Sequence, residues 1–266
     1  MSDSDDWARR RSSFGAVAAA YAAHRPGYPA AAVRWCVAPV GRDIGSLRVL
    51  DLGAGTGKLS AVLAELGADV TAVEPDAAML GELRRGLPSL RAISGTAERI
   101  PLPDASVDAV LCGQSMHWFD MAAALPEIAR VLVPGGTLAG LWNCDDDRVP
   151  WVAGFQEVAG GAAAPSLSRR RSEAADFGAD QFGGLSSGPA SFTPTERAEF
   201  PNGQRLSAAA LVELVGTHSM VLVMAPQERD RLLGEVRAYL ASRTETAAGQ
   251  FDLPMVTSVI RSVRRG

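Results

Sequence analysis

Asp51-Leu52-Gly53-Ala54-Gly55-Thr56-Gly57-Lys58-Leu59 sets a carboxylate directly ahead of three alternating glycines. Glycine tolerates positive φ and lets a ligand reach the backbone where a Cβ would block it. A helix start behind such a turn aims backbone N–H groups at a polar or anionic part of that ligand. The spacing separates three nucleotide-type ligands. A phosphate-cradling P-loop needs Ser or Thr after Gly-Lys, but Leu59 follows Lys58, and Leu52 stands where the first glycine belongs. A dinucleotide fingerprint needs its third glycine at position 58, which is Lys. An acid so close to the turn repels a pyrophosphate and suits a ligand that carries cationic groups. Glu74, 23 residues beyond Asp51, falls where an acid faces the hydroxyls of a ribose.

These residues need a strand, a turn and a helix in immediate succession. Val49 to Leu52 reads as a buried strand, and Leu59, Val62, Leu63 and Leu66 share one helical face. A second strand, Val70 to Val73, ends at Glu74-Pro75-Asp76, and Asp76 caps a helix with Met79, Leu80 and Leu83 inward. Arg91 to Ser94 is a third strand, leading into Gly95-Thr96-Ala97-Glu98, and Asp108 to Cys112 is a fourth. A helix from Asp120 to about Val133, a Pro134-Gly135-Gly136 turn and a fifth strand, Thr137 to Asn143, complete the alternation. Strands and helices alternating in this way predict a mostly parallel sheet covered on both faces.

Upstream, Phe14, Val17, Ala18 and Tyr21 share a helical face, and Arg25-Pro26-Gly27-Tyr28-Pro29 ends that helix. Pro29 opens another helix, with Val33, Val37 and Val40 as its stripe. Downstream, residues 145 to 189 break the alternation, with one amphipathic stretch (Trp151, Val152, Phe155, Val158) and a solvated arginine run, Arg169 to Arg171. Phe192 to Phe200 alternates like a strand, Ser207 to Val215 and Pro226 to Leu240 read as helices, and Met255 to Val263 as a closing strand.

The acid-x-G-x-G-x-G turn with Glu74 in register resembles the class I S-adenosylmethionine-dependent methyltransferases, in the methyltransferase type 11 group. Phe14, Ala18, Tyr21, Arg25, Pro26, Tyr28 and Pro29 look like the opening motif of the trans-aconitate methyltransferase-like branch. His117-Trp118-Phe119-Asp120 and Arg130-Val131-Leu132 with Pro134-Gly135-Gly136 are similar to later segments of that group. The resemblance implies a Rossmann-like, doubly wound α/β fold. Its mostly parallel seven-stranded sheet carries an antiparallel C-terminal strand, and an N-terminal helical flap precedes it. It divides the chain into a flap (1–42), a cofactor core (43–144), an irregular insertion or lid (145–190) and a C-terminal completion of the sheet (191–266).

The resemblance also implies S-adenosyl-L-methionine as cofactor and S-adenosyl-L-homocysteine as product. Gly53, Ala54, Gly55, Thr56 and Gly57 would cradle the cofactor, with Asp51 and Glu74 turned toward it and Pro75 closing the ribose edge. Thr96, Ala97 and Glu98 lie beside the adenine, where Thr96 replaces the family's usual Asp and Glu98 has a structural cap as its alternative role. Met79 supplies either an apolar wall or core packing. The backbone of Cys112, Gly113 and Gln114 passes the methionine part. Arg25 would neutralise the carboxylate, and Tyr21 and Tyr28 would close over that arm. Tyr28, His117, Trp118 and Phe119 face the acceptor. His117 is the candidate general base, with orienting the acceptor and packing on Trp118 as its other roles. His24 is a second candidate base, and His218 a helix-end residue.

Composition narrows the partners. A net charge of −4 gives no general attraction to nucleic acid. Three widely spaced cysteines without C-x-x-C pairing predict neither a metal site nor a disulfide framework, and point to a reducing, cytoplasmic setting. The N-terminus lacks the apolar stretch of a signal peptide, and Leu211 to Ala225 is too short to span a bilayer. The chemistry expected is methylation of a small-molecule acceptor on a carboxylate or hydroxyl oxygen. Its rivals are a nicotinamide-dependent oxidoreductase and a non-catalytic S-adenosylmethionine-binding protein. Oligomeric state leaves no trace in the sequence.

Overall fold

A computed structural model describes residues 25–160 and 192–266. The expected helix from Phe14 to Tyr21, His24 and the Arg169 to Arg171 run lie outside the described residues.

The alternation folds as expected. Helix α1 (Ala30–Val37) starts at Pro29 and buries Ala32, Val33, Cys36 and Val37. Strand β1 (Arg48–Leu52) leads through the glycine turn into α2 (Lys58–Glu65), and β2 (Asp69–Glu74) into α3 (Ala77–Gly86). β3 (Arg91–Ser94) and β4 (Val107–Gly113) follow, then α4 (Met121–Val131) and β5 (Leu132–Asp145). The remaining elements are α5 (Pro150–Ala159), β6 (Glu196–Ser207), α6 (Ala208–Gly216), α7 (Ser219–Leu222), α8 (Pro226–Ala241) and β7 (Gln250–Val263).

The sheet has seven strands in the order β3-β2-β1-β4-β5-β7-β6. The pairs β1–β2, β1–β4, β2–β3 and β4–β5 are parallel. β7 runs against β5: Arg264 N–H donates to Gly136 at one end and Asp146 N–H to Pro254 at the other. Leu50, Leu52 and Leu111 are wholly buried, as a parallel sheet covered on both faces demands. Each such side chain contributes about 1.5–3 kcal/mol by leaving water. The winding reverses between β1 and β4, so a crevice opens at their carboxyl ends, where doubly wound sheets bind ligands.

The described residues divide into two units, with the boundaries inside β5, β6 and β7. Gly27–Asn143, residues 192–201 and Thr257–Gly266 form the nucleotide-type unit, whose core includes Val33, Leu47, Leu63, Leu141 and Val259. Residues 144–160 and 202–256, with Arg25 and Pro26, form the second. There α8 packs on α5 and α6 around Trp151, Phe155, Leu211, Val236 and Leu240. Tyr239 Oη donates to the Trp151 carbonyl at 2.7 Å, and a Cβ on Gly154 would meet that oxygen at 2.4 Å.

Three boundaries differ from the sequence expectation. The Pro134-Gly135-Gly136 turn is absorbed into β5 as an irregularity in its pairing with β4, between Val107 and Ala109. Gly135, at φ 81°, donates to Arg264, so the chain's last strand supplies the partners that a turn would have lacked. β6 begins at Glu196 rather than Phe192 and continues through Pro201 to Ser207. Its edge position permits that proline. β7 begins at Gln250, five residues before Met255.

Candidate active site

The glycine turn lies at the carboxyl end of β1 and is anchored to β2. Gly53 and Ala54 N–H both donate to the Val73 carbonyl, at 2.9 and 3.1 Å. All three glycines adopt positive φ: 69° at Gly53, 56° at Gly55 and 86° at Gly57. They differ in their surroundings. A Cβ on Gly53 would sit 2.6 Å from Ser115 Cβ, and one on Gly57 would sit 2.9 Å from Leu83 Cγ. At Gly55 nothing lies within 4 Å of that position, so the middle glycine borders open space. Two glycines permit packing, and the third leaves room for a ligand.

Glu74 organises this opening. Its Oε2 accepts Gly55 N–H at 2.8 Å and its Oε1 accepts Asp76 N–H at 2.9 Å. Asp76 in turn caps α3, accepting from Ala78 and Met79 N–H. The carboxylate expected at the ribose therefore also ties the glycine turn to the start of α3.

Asp51, expected to turn toward the ligand, lies wholly inside the protein. Its Oδ2 accepts Ser60 Oγ at 2.6 Å, and Oδ1 has no hydrogen-bond partner among the described residues. Burial, reinforced by the charge of Glu74 and opposed by the Ser60 hydrogen bond, pushes its carboxyl up to about 7. Ser60 was not foreseen, although a lone hydroxyl beside Leu59 and Leu63 on a buried helix face was a usable signal.

The other expected positions fall on neighbouring loops. Ala97 is buried, and Thr96 pairs with Arg99 in a short antiparallel bridge. Glu98 Oε1 accepts Asp120 N–H at 3.0 Å, joining the loop after β3 to the start of α4, which is the capping role. Met79 is 4% exposed, so its side chain belongs chiefly to the core, while Pro75 is exposed. Cys112 is fully buried, and burial raises its thiol well above the usual range, leaving its backbone as the part a ligand can meet.

Gly113, Gln114 and Ser115 carry the chain out of β4 past the crevice. The Tyr28 phenol lies against Gly113, where a Cβ would meet Oη at 2.7 Å. Gln114 takes φ 55°, unusual for a residue with a side chain, and its N–H donates to Leu141 at 2.9 Å. Ser115 Oγ donates to Leu52 O at 2.7 Å, fastening this loop to the end of β1. His117 and Trp118 sit in a single 3₁₀ turn, Met116–Trp118, with ring centroids 4.9 Å apart, followed by Phe119. All three are partly exposed, and His117 Nδ1 is buried. Tyr28 thus joins Gly113 and Gln114 at the crevice, while Arg25 falls in the other unit and Tyr21 outside the described residues.

Among the described residues no cluster of three or more His, Cys, Asp or Glu is arranged to hold a metal ion. No helix among them is long and apolar enough to cross a membrane.

Residues 50–140 match the family model described as a methyltransferase domain. An uncharacterized methyltransferase of Mycobacterium tuberculosis (strain H37Rv) is 41% identical over 251 residues, covering 94% of this chain and 95% of that protein. An uncharacterized methyltransferase-like protein of Schizosaccharomyces pombe is 34% identical over 217 residues, 81% of each chain. The solved structure of a putative type II methyltransferase from Anaeromyxobacter dehalogenans superposes with TM-score 0.63 at 26% identity, covering 90% of this chain and 97% of that one. With strand order, glycine turn and relatives in agreement, the chain belongs to the class I S-adenosylmethionine-dependent methyltransferases.

Proposed function

We propose that the crevice between β1 and β4 binds S-adenosyl-L-methionine and directs its methyl group to an oxygen of a small-molecule acceptor, a carboxylate or a hydroxyl. The observation that carries this reading is the open cradle at Gly55, with the Glu74 carboxylate held on its N–H. The residues present suit the cofactor. Gly53 to Gly57 leave backbone room beside the nucleoside, Glu74 accepts from the ribose hydroxyls, and Thr96 and Ala97 border the adenine. Gly113 and Gln114, with Tyr28 across them, flank the amino-acid arm. Arg25 and Tyr21 are assigned to that arm by the sequence resemblance.

When bound, the cofactor supplies an electrophilic methyl carbon on a sulfonium. The protein's task is then to align an acceptor oxygen with it, and such positioning is worth roughly 7–11 kcal/mol in favourable cases. Trp118 and Phe119 offer apolar surface to the acceptor and exclude water. A carboxylate acceptor cancels charge with the sulfonium as it reacts, so a dry wall suffices. A hydroxyl acceptor must also lose a proton, and His117 would take it at Nε2, since Nδ1 faces inward.

Titration calorimetry with S-adenosylmethionine tests the binding step, and absence of binding would overturn the reading. Incubation with methyl-labelled cofactor and a metabolite extract, followed by mass spectrometry, identifies the acceptor. A labelled product methylated on nitrogen or carbon would refute the oxygen assignment. With the acceptor in hand, His117→Gln is expected to lower turnover about 100-fold for a hydroxyl and less than about fivefold for a carboxylate. Full turnover on a hydroxyl acceptor would remove His117 as base.

A further inference from the structure

One polar residue near the end of β5 was assigned no role by the motifs, yet its side chain joins two separate parts of the nucleotide-type unit and its backbone carbonyl a third. Asn143 Nδ2 donates to the Gly27 carbonyl at 3.0 Å. Its Oδ1 accepts Thr257 Oγ1 from β7 at 2.6 Å, and its own carbonyl accepts Gln114 Nε2 at 3.0 Å. The Gly27 carbonyl can only accept, so the amide must present nitrogen there and oxygen to Thr257. Only an amide meets both demands; a carboxylate would leave two acceptors facing each other.

The position of this junction gives it a function. Gly27 and Tyr28 form the turn that leads into α1, and the Tyr28 phenol covers Gly113 at the carboxyl end of β4. Gln114, next in the chain with a left-handed backbone, is held by its N–H to the Leu141 carbonyl and by its side-chain Nε2 to the Asn143 carbonyl. A single residue therefore fixes the turn on one side of the crevice and the strained residue on its floor. A backbone held in so sparsely populated a conformation persists only where neighbours over-determine it.

We propose that Asn143 is a positioning residue which latches the Gly27–Tyr28 turn across the mouth of the crevice and thereby governs release of the nucleoside product. This rests on the cofactor assignment above for its consequence, although the latch itself concerns only this chain. Asn143→Asp keeps the acceptor for Thr257 and opposes a carboxylate to the Gly27 carbonyl.

Two measurements test the latch. Hydrogen–deuterium exchange in the unliganded protein should be at least about fivefold faster in Asn143→Asp for the peptide containing Gly27 and Tyr28, with the melting midpoint within about 2 °C of wild type. Stopped-flow tryptophan fluorescence should show S-adenosylhomocysteine leaving about tenfold faster from Asn143→Asp, with association within about twofold. Unchanged exchange at Gly27–Tyr28 overturns the latch, and so does faster exchange spread over the whole sheet with a fallen melting midpoint. Faster exchange with an unchanged dissociation rate overturns its control of release. Failure of the wild-type protein to bind S-adenosylhomocysteine sinks the cofactor assignment and the release role, while the exchange result still decides the latch.

Discussion

Glu74→Ala is expected to lower affinity for S-adenosylmethionine by at least about 100-fold, while the unliganded protein should keep its far-ultraviolet circular dichroism. The size follows from two losses at one atom pair. The carboxylate now accepts Gly55 and Asp76 N–H, holding the glycine turn in its open shape. In the proposed cofactor complex it would also take the ribose hydroxyls. Hydrogen bonds to a charged group contribute about 1.5–3 kcal/mol each, so losing two corresponds to roughly 3 kcal/mol or more, a factor of about 100. Glu74→Gln retains shape and one acceptor, and should cost only about tenfold. The fold survives because Glu74 stands at the end of β2, where Asp76 still caps α3 independently. Calorimetry measures both affinities. A Glu74→Ala protein that binds within threefold of wild type would detach Glu74 from the ribose.

The parts of this site that could be read from sequence are those whose partners are near in the chain. The glycine turn, the Asp76 cap and the bounds of β3 follow from local chemistry: positive φ, an N-cap acceptor and a short β-rich run between turns. What could not be read was decided by partners far away. Gly135 looked like a turn because its partner, Arg264, comes from the other end of the chain. Asn143 read as the last residue of a strand, since its donor target, Gly27, is 116 positions away.

Asp51 shows the same limit in electrostatic form. Its position before the glycines marked it as a ligand-facing charge, but whether a carboxylate is inside or outside depends on how strand and helix close over it. Here α2 closes over it and supplies the Ser60 hydroxyl. The raised carboxyl is then a consequence of burial with one hydrogen-bond donor, beside a second acid on β2. Burial accounts equally for the inert thiols of Cys36 and Cys112.

That carboxyl predicts an opposite response to pH with and without cofactor. Desolvation lifts Asp51 from the ordinary 3.8 to about 7, so between these values the folded chain holds a proton that the unfolded chain has lost. Stability therefore falls as pH rises through that window, and the full cost, a few kcal/mol, is present above about pH 7. Asp51→Asn keeps the shape and the acceptor for Ser60 while removing the ionised form. It should raise the melting midpoint of the unliganded protein by several degrees at pH 8 and hardly at all at pH 4. The groups facing Asp51 are Ser60 on α2, Glu74 on β2 and Cys112 on β4, none of which supplies a positive charge. A bound sulfonium would supply one. S-adenosylmethionine should then favour the ionised carboxylate, whereas S-adenosylhomocysteine, lacking that charge, should not. The ratio of the two affinities cancels the amino and carboxyl groups that both ligands share. It should rise about fivefold in favour of S-adenosylmethionine between pH 6 and 8, equivalent to roughly 1 kcal/mol of attraction. In Asp51→Asn the ratio should be flat. Calorimetry at both pH values measures it, and a wild-type ratio independent of pH would leave Asp51 with only its bond to Ser60.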